Sequence, residues 1–211
     1  MLGTSGNLSI LTEEIPIQFL ITASGKDKGE LTENDFILVD ENGVIASTEG
    51  AKQSRSLSRQ DDRDCFVANA PQDDMMTLKP SAETLLHSAI YKHTNAKVVF
   101  HIHTTNSTLL SMHSILNPQS SILEFSDLEM LKGLGFKTHD VKVTIPIIEN
   151  SQDMKYLAEI APSYINEEVP GLILKGHGIY AWGNSPKEAK RHIEIFEFLF
   201  EYRVKELSLI K

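Results

Sequence analysis

The sequence predicts an α/β fold in which a mixed or mainly antiparallel sheet is covered by helices. Short apolar runs joined by tight turns fill the first quarter of the chain, and helical and strand periods alternate loosely after residue 80. With 211 residues and a mass of 23.6 kDa, the chain is long enough to bury a sizeable core without disulfides. We therefore predict one domain over residues 1–211.

The first elements form a meander of short strands. Residues 17–21 run into a turn that contains Ser24 and Gly25, and residues 36–39 are followed by the turn at 40–43. The pattern then fails over residues 47–79, where Ser, Arg, Asp and Gln dominate and no period persists. Because a structureless loop of this length is uncommon inside a compact domain, we predict a mobile insertion at 47–79.

Helical and strand periods return after Pro80. An amphipathic pattern with Ser81 as its N-cap predicts a helix, and residues 98–103 predict a strand. Further helices are predicted at 109–115 and 126–134, and further strands at 141–145, 171–174 and 179–182.

The C-terminal helix carries the strongest signals in the chain. Ser185 is suited to the N-cap, Pro186 to the first helical position, and Glu188 completes a capping box. The apolar positions that follow at helical spacing predict its buried stripe: Ala189, Ile193, Phe196, Phe200 and Val204.

Charge and cysteine content restrict the function. The formal net charge of −9 and the pI near 5.4 have the wrong sign for a general phosphate-backbone binder, so we expect neither nucleic acid nor an anionic membrane as partner. The single cysteine, Cys65, excludes an intramolecular disulfide framework and a cysteine-based zinc site. Together with the absence of a long apolar run, this predicts a cytoplasmic protein.

Three histidines form a candidate metal site. His101 and His103 are two apart on a predicted strand, so their side chains leave the same face. His177 lies between two glycines that allow a sharp turn. Three imidazoles with one open position suit a catalytic zinc, although two polar residues at a strand end and a turn histidine explain the pattern as well.

Small donors and two carboxylates are further candidates. The segments 3–9 and 22–26 could wrap a phosphate, and equally they read as ordinary turns. Glu83 falls in a first helical turn, and Glu129 falls in an apparent capping box that starts at Ser126. The residues alone do not decide which carboxylate carries chemistry.

Five separated motifs resemble the class II aldolase/adducin family, over a span from Gly3 to Tyr202 that residues 47–79 interrupt. The motifs agree in type and order, which makes the resemblance specific. They are Pro80-Ser-Ala-Glu83, Phe100-His-Ile-His-Thr104, Glu129-Met-Leu-Lys-Gly133, Pro146-Ile-Ile-Glu-Asn150 and Lys175-Gly-His-Gly-Ile-Tyr-Ala-Trp-Gly183.

The resemblance implies a three-layer α/β/α fold with a largely antiparallel central sheet, assembled as a homotetramer. It implies one zinc ion per subunit, held by His101, His103 and His177, and it assigns Glu129 as the proton donor and acceptor. It also implies further residues around the substrate. Asn7, Ser24, Gly25 and Ser81 match positions that hold the substrate phosphate, and Glu83 matches a carboxylate close to the metal.

Within the family, the motifs at 129–133 and 146–150 favour the dehydration of 5-methylthioribulose 1-phosphate in methionine salvage. A sugar-phosphate aldolase or epimerase on the same scaffold is one alternative. A non-catalytic, adducin-like interaction domain is the other, and the three intact histidines argue against it. Family members usually carry a helical segment ahead of the Thr4-Ser-Gly-Asn7 motif, and such a segment affects how the first strand packs. The 47–79 insertion is expected near the phosphate side of the pocket.

Overall fold

The computed structural model describes residues 6–27, 29–46, 78–112, 121–166 and 168–209. Within these residues, eight strands form one sheet in the order β3-β2-β1-β4-β8-β7-β6-β5. The strands are β1 (Gly6–Glu14), β2 (Ile17–Thr22), β3 (Phe36–Asp40), β4 (Val98–Ile102), β5 (Ile122–Phe125), β6 (Val143–Ile148), β7 (Gly171–Leu174) and β8 (Gly178–Gly183). The helices are α1 (Thr84–His93), α2 (Thr105–Met112), α3 (Met154–Ile160) and α4 (Pro186–Leu209), with 3₁₀ turns at Glu33–Asp35, Glu129–Leu134 and Ala161–Ser163.

The sheet is largely antiparallel. Among the described strands only β6 and β7 pair in parallel, and the other neighbouring strands run antiparallel. β1 lies between β2 and β4 in the middle of the sheet, although its sequence predicted only a turn. Polar and apolar residues alternate in its sequence, as in a strand. In the structure, Asn7 and Ser9 are buried on one face, while Leu8 and Ile10 pack against the core on the other.

Helices cover both faces of the sheet, which confirms the three-layer α/β/α architecture. Val98 and Phe100 of β4 face a core that α2, α4 and the 3₁₀ turn Glu129–Leu134 complete. The intervening Val99 faces a second core that includes residues of α1 and α3. Successive residues of one strand therefore serve opposite layers, as the pleat of a sheet requires.

The C-terminal helix confirms its predicted start. Ser185 Oγ accepts a hydrogen bond from the Glu188 backbone N–H at 3.2 Å, and Glu188 in turn accepts one from the Asn184 N–H at 2.7 Å. The predicted stripe is buried against the sheet, except that Val204 is half-buried.

Two predicted caps are wrong. α1 begins at Thr84, and its N-cap residue is Glu83 rather than Ser81; the Ser81 hydroxyl accepts the Glu83 N–H at 3.3 Å, so it closes the turn that precedes the helix, and it also accepts from the side-chain amide of Asn7. The segment after Ser126 is a 3₁₀ turn from Glu129 without a side-chain cap, because Asp127 has a left-handed backbone (φ +58°) that separates Ser126 from the turn.

The predicted insertion at 47–79 lies outside the described residues except for its last two members, and these two belong to the domain. Leu78 packs against the core beside α1, and the carbonyl of Lys79 accepts a hydrogen bond from the Ser24 N–H at 2.9 Å. The predicted helix at 109–115 is described as far as Met112. None of the helices in the described part of the chain is long and apolar enough to cross a membrane.

Candidate metal and substrate site

The three predicted histidines meet at one end of the sheet. His101 pairs with Tyr180 across β4 and β8, and His103 follows at the end of β4. The tight turn between β7 and β8 carries His177 to the same place. One ligand atom from each histidine and one from Glu83 all lie within 4.8 Å of one another.

Glu83, the residue just before α1, is the fourth member of this cluster. Its Oε1 is 2.9 Å from His177 Nε2 and its Oε2 is 3.3 Å from His101 Nε2. The Asn7 amide N–H also donates a hydrogen bond to Oε2. Burial alone would raise the pKa of Glu83, but the hydrogen bond from His177, the electrostatic interaction with His101 and the hydrogen bond from the Asn7 amide outweigh it and lower this pKa below its ordinary value.

The position of the ring proton in His101 suits coordination of a metal cation. Its Nδ1–H donates to the Ile179 carbonyl at 3.1 Å, which leaves Nε2 of the neutral ring with a lone pair. That lone pair is 2.9 Å from His103 Nε2 and 3.3 Å from a carboxylate oxygen of Glu83. Electron-rich atoms at such distances repel one another unless a proton or a metal ion lies between them, so the donor set suits a divalent ion.

Burial keeps the imidazoles of His101 and His103 neutral, as metal binding requires. Burial lowers the pKa of His101 to about 3, in spite of the nearby Glu83 carboxylate. Burial also lowers the pKa of His103. Both rings are therefore neutral at physiological pH and offer nitrogen lone pairs rather than protons.

Gly178 allows the two strands to approach closely beside the histidines. A Cβ at this position would lie 2.4 Å from the backbone oxygen of Ile102, 2.9 Å from His101 Cε1 and 3.0 Å from His103 Cδ2. The Ile102 backbone and the two histidine rings therefore leave no room for a side chain at this position.

We expect Gly178→Ala to damage both the fold and the metal site. The added methyl group overlaps backbone as well as ring atoms, and overpacking of this kind costs about 1–3 kcal/mol of unfolding free energy. Thermal unfolding of the apoprotein and zinc affinity measured by chelator competition should both fall. An alanine variant with wild-type zinc affinity would show that the strand spacing does not set the histidine geometry.

The predicted phosphate residues divide into two groups. Ser24 and Gly25 lie in an exposed turn that a bridge between Ala23 and Pro80 holds next to Ser81. Asn7 is 7% exposed, and its amide is already bonded to other side chains of the protein. The turn can therefore reach a ligand directly, whereas Asn7 links Ser81 to Glu83.

Glu129 lies apart from the cluster of histidines and Glu83. Its side chain is 72% exposed and bonds to Lys132 at 2.6 Å, and the hydrogen bond from Lys132 lowers its pKa. β5 starts at the sheet end that carries His177 and runs away from it to Phe125, ahead of Glu129. The structure thus brings together every predicted metal ligand and Glu83, but not Glu129.

Sequence reasoning did not single out several buried polar residues behind Glu83. His87 and Tyr91 follow Glu83 at helical spacing on α1, and Ser9 follows Asn7 at strand spacing on β1. These regular spacings were the available signal, since they place polar side chains on faces that should otherwise be apolar.

Comparison with known proteins agrees with this geometry. The sequence profile described as Class II Aldolase and Adducin N-terminal domain matches residues 1–204. The chain belongs to this class II aldolase and adducin family. The methylthioribulose-1-phosphate dehydratase of Persephonella marina is 43% identical over 200 residues, which cover 95% of this chain and 79% of that relative. The enzyme of the same name from Geobacillus kaustophilus is 40% identical over 207 residues, which cover 98% of this chain and 84% of that relative.

Solved structures confirm the class II aldolase fold. An L-fuculose 1-phosphate aldolase matches with a TM-score of 0.67 over 100% of this chain and 80% of its own, at 20% sequence identity. At this identity the match supports the architecture only. The resemblance inferred from the five motifs is thereby confirmed for family and fold.

Proposed function

We propose that this class II aldolase family member is a zinc-dependent dehydratase of methionine salvage, which converts 5-methylthioribulose 1-phosphate into 5-methylthio-2,3-dioxopentyl phosphate. The observation that carries the proposal is the cluster of His101, His103, His177 and Glu83, held in a chain whose relatives at about 40% identity bear the dehydratase name. A metal-free interaction domain would have no reason to keep these four side chains in mutual contact.

Zinc is the proposed metal, with one ion per chain held by His101, His103 and His177. Nitrogen donors on a rigid strand and a glycine turn suit this ion, and three protein ligands leave a position for substrate. When bound, the ion would supply a Lewis acid for the C2 carbonyl, which acidifies the neighbouring C3 hydrogen. Glu83 lies beside this position and would help to orient the ion and the sugar hydroxyls.

The proton transfers are assigned to Glu129. Its carboxylate would take the proton from C3 while the C3=C4 double bond forms, and it would return a proton to the C4 hydroxyl, which leaves as water. The resulting enol then gains a proton at C4, loses the proton of its C3 hydroxyl and becomes the 2,3-diketone. Atoms balance in this scheme, since the substrate loses one water and nothing else.

An exposed Glu129 can serve this role only at the site of another subunit. In the single chain its carboxylate is outside the cluster, and Lys132 lowers its pKa, whereas a proton shuttle needs a pKa closer to neutrality. Burial against a neighbouring subunit would raise this pKa. We therefore propose a homotetramer in which Glu129 completes the metal site of an adjacent copy.

The phosphate of the substrate is assigned to the Ser24–Gly25 turn and Ser81, with Asn7 beneath them. The backbone bridge between Ala23 and Pro80 holds these segments side by side, and Ser81 is linked to Glu83 through Asn7. Hydroxyl and backbone N–H donors at a glycine turn are typical phosphate ligands. The phosphate would then lie next to the metal, one carbon from the C2 carbonyl.

Product analysis tests the proposed function. Purified protein loaded with zinc is incubated with 5-methylthioribulose 1-phosphate, and the products are identified by mass spectrometry. We expect a single product that is lighter than the substrate by one water and that reacts as an α-diketone. Cleavage into two fragments would identify an aldolase, and an isomer of unchanged mass would identify an epimerase; either result would contradict the proposal.

A further inference from the structure

A continuous set of buried polar groups leads away from Glu83 into the interior. The amide of Asn7 touches Glu83 on one side and His87 on the other. Ser9 Oγ is 2.7 Å from His87 Nδ1 and 2.7 Å from the Tyr91 hydroxyl. His87 and Ser9 are both 0% exposed, so water does not supply these bonds.

The hydrogen bonds in this set have a single consistent direction. Asn7 Nδ2 donates to Glu83 Oε2 and to Ser81 Oγ, so the amide oxygen must accept a hydrogen bond from His87 Nε2–H. His87 Nδ1 is then unprotonated and accepts from the Ser9 hydroxyl.

The hydrogen bonds at the far end of the set run in the same direction. The Ser9 hydroxyl, which donates to His87, accepts a hydrogen bond from the Tyr91 hydroxyl. The backbone N–H of Val99 interacts with the Tyr91 oxygen. Each group thus donates a hydrogen bond in the direction of Glu83, from the Val99 N–H on the central strand β4 to the Glu83 carboxylate.

Secondary structure fixes the order of the groups. Glu83, His87 and Tyr91 are four residues apart along α1, while Asn7 and Ser9 are two residues apart on β1. The two elements interleave their polar side chains on facing surfaces. Burying five polar side chains is costly unless each is hydrogen-bonded, and a set that is fully bonded holds one arrangement rigidly.

We propose that His87 is a positioning residue of the metal site, which acts through Asn7 to fix the orientation of the Glu83 carboxylate. Reversal of the Asn7 amide would place its oxygen against Glu83 and its NH₂ group against His87. The Nε2–H of His87 prevents this reversal, because two donors would then face each other. The inference rests on the metal site of the proposed function and does not depend on the substrate.

Metal affinity of the apoprotein is the direct test. Zinc dissociation constants are measured by competition with a chromophoric chelator, and the absorption spectrum of the Co²⁺ form reports the coordination geometry. We expect His87→Phe to weaken zinc binding about tenfold, the lower end of the loss seen when an outer partner is removed at other metal sites, because its effect passes through Asn7 and Glu83, and to alter the Co²⁺ spectrum.

His192→Phe is the matched control. His192 of α4 is also a buried histidine, 5% exposed, but it donates to the Trp182 carbonyl of β8 and, among the described residues, has no bond to the cluster. This variant should lose stability of the same order while its zinc affinity and Co²⁺ spectrum stay unchanged. The comparison separates an effect on the metal site from a general loss of packing.

Two milder variants keep the inference testable if His87→Phe does not fold. His87→Gln retains a donor for Asn7 and an acceptor for Ser9, so its zinc affinity should return to within a few fold of wild type. Ser9→Ala removes a single hydroxyl and should weaken zinc binding less than His87→Phe does. Zinc affinity that is unchanged in Ser9→Ala and in folded His87→Phe would overturn the positioning role, as would equal losses in His192→Phe.

Failure of this inference differs from failure of the proposed function. If the wild-type protein binds no zinc or Co²⁺, the metal site itself is refuted. If wild-type protein binds the metal and every variant binds it equally well, only the role of His87 is refuted.

Discussion

Zinc and dehydratase activity are expected to disappear together when His103 is replaced by alanine. His103 Nε2 lies 2.9 Å from His101 Nε2, and its ring is in contact with that of His177. Its removal leaves two of the three proposed ligands, so zinc content should fall by at least about tenfold. Because the ring is only half-buried, the melting temperature of the apoprotein should change little.

Zinc per chain by elemental analysis and diketone formation measure this effect. His93→Ala is the control, since that histidine is exposed and bonds only to the Ala89 carbonyl in the described structure. It should retain full zinc and activity. Full zinc occupancy in the His103→Ala protein would refute the assignment of the metal ligands.

Glu129→Gln is expected to give a folded, zinc-loaded protein with a kcat lower by about 10²–10⁴, the usual value of general acid–base catalysis. The side chain is 72% exposed, and its partners among the described residues are Lys132 and His139, so fold and metal content should not change. Turnover within a few fold of wild type would contradict the role of Glu129.

Glu83→Gln should show the opposite pattern. The amide replaces a carboxylate that faces His101 and His177, so zinc affinity should fall and KM should rise more than kcat drops. A Glu83→Gln protein with normal zinc affinity and a kcat loss as large as that expected for Glu129→Gln would transfer the proton shuttle to Glu83.

Mixing two inactive variants tests whether Glu129 acts across the interface. His103→Ala subunits keep Glu129, and Glu129→Gln subunits keep the metal ligands. Tetramers reassembled at random from equal amounts should regain about one quarter of the wild-type sites, since each site takes its parts from two subunits. No regain of activity in mixed tetramers would place Glu129 in the site of its own chain or remove it from the reaction.

The predictable part of the fold was the part with local signals. The cap formed by Ser185 and the apolar stripe of α4 define that helix from sequence alone. The strand β1 was missed because Gly6 and Asn7 read as turn residues. Gly6 is required there for a different reason: its φ is +135°, and a Cβ would lie 2.4 Å from the His101 carbonyl oxygen.

The site was predictable only where one residue type points to one chemistry. Three histidines at strand and turn positions indicated a metal, and the structure places them together with Glu83. The partners of Asn7 were not predictable, because the contact between α1 and β1 joins residues about 80 positions apart in the chain. Glu129 is exposed in the single chain, and its proposed contact with another subunit is one that no local sequence pattern records.

Stepwise return of zinc to the apoprotein tests the central claim most directly. Metal is removed with a chelator, zinc is added in known amounts, and the rate of diketone formation from 5-methylthioribulose 1-phosphate is measured at each ratio. The rate should rise in proportion to bound zinc and stop rising at one ion per chain, the capacity of the single cluster in the described residues. Diketone formation at the full rate by metal-free protein, or none at one zinc per chain, would contradict the account.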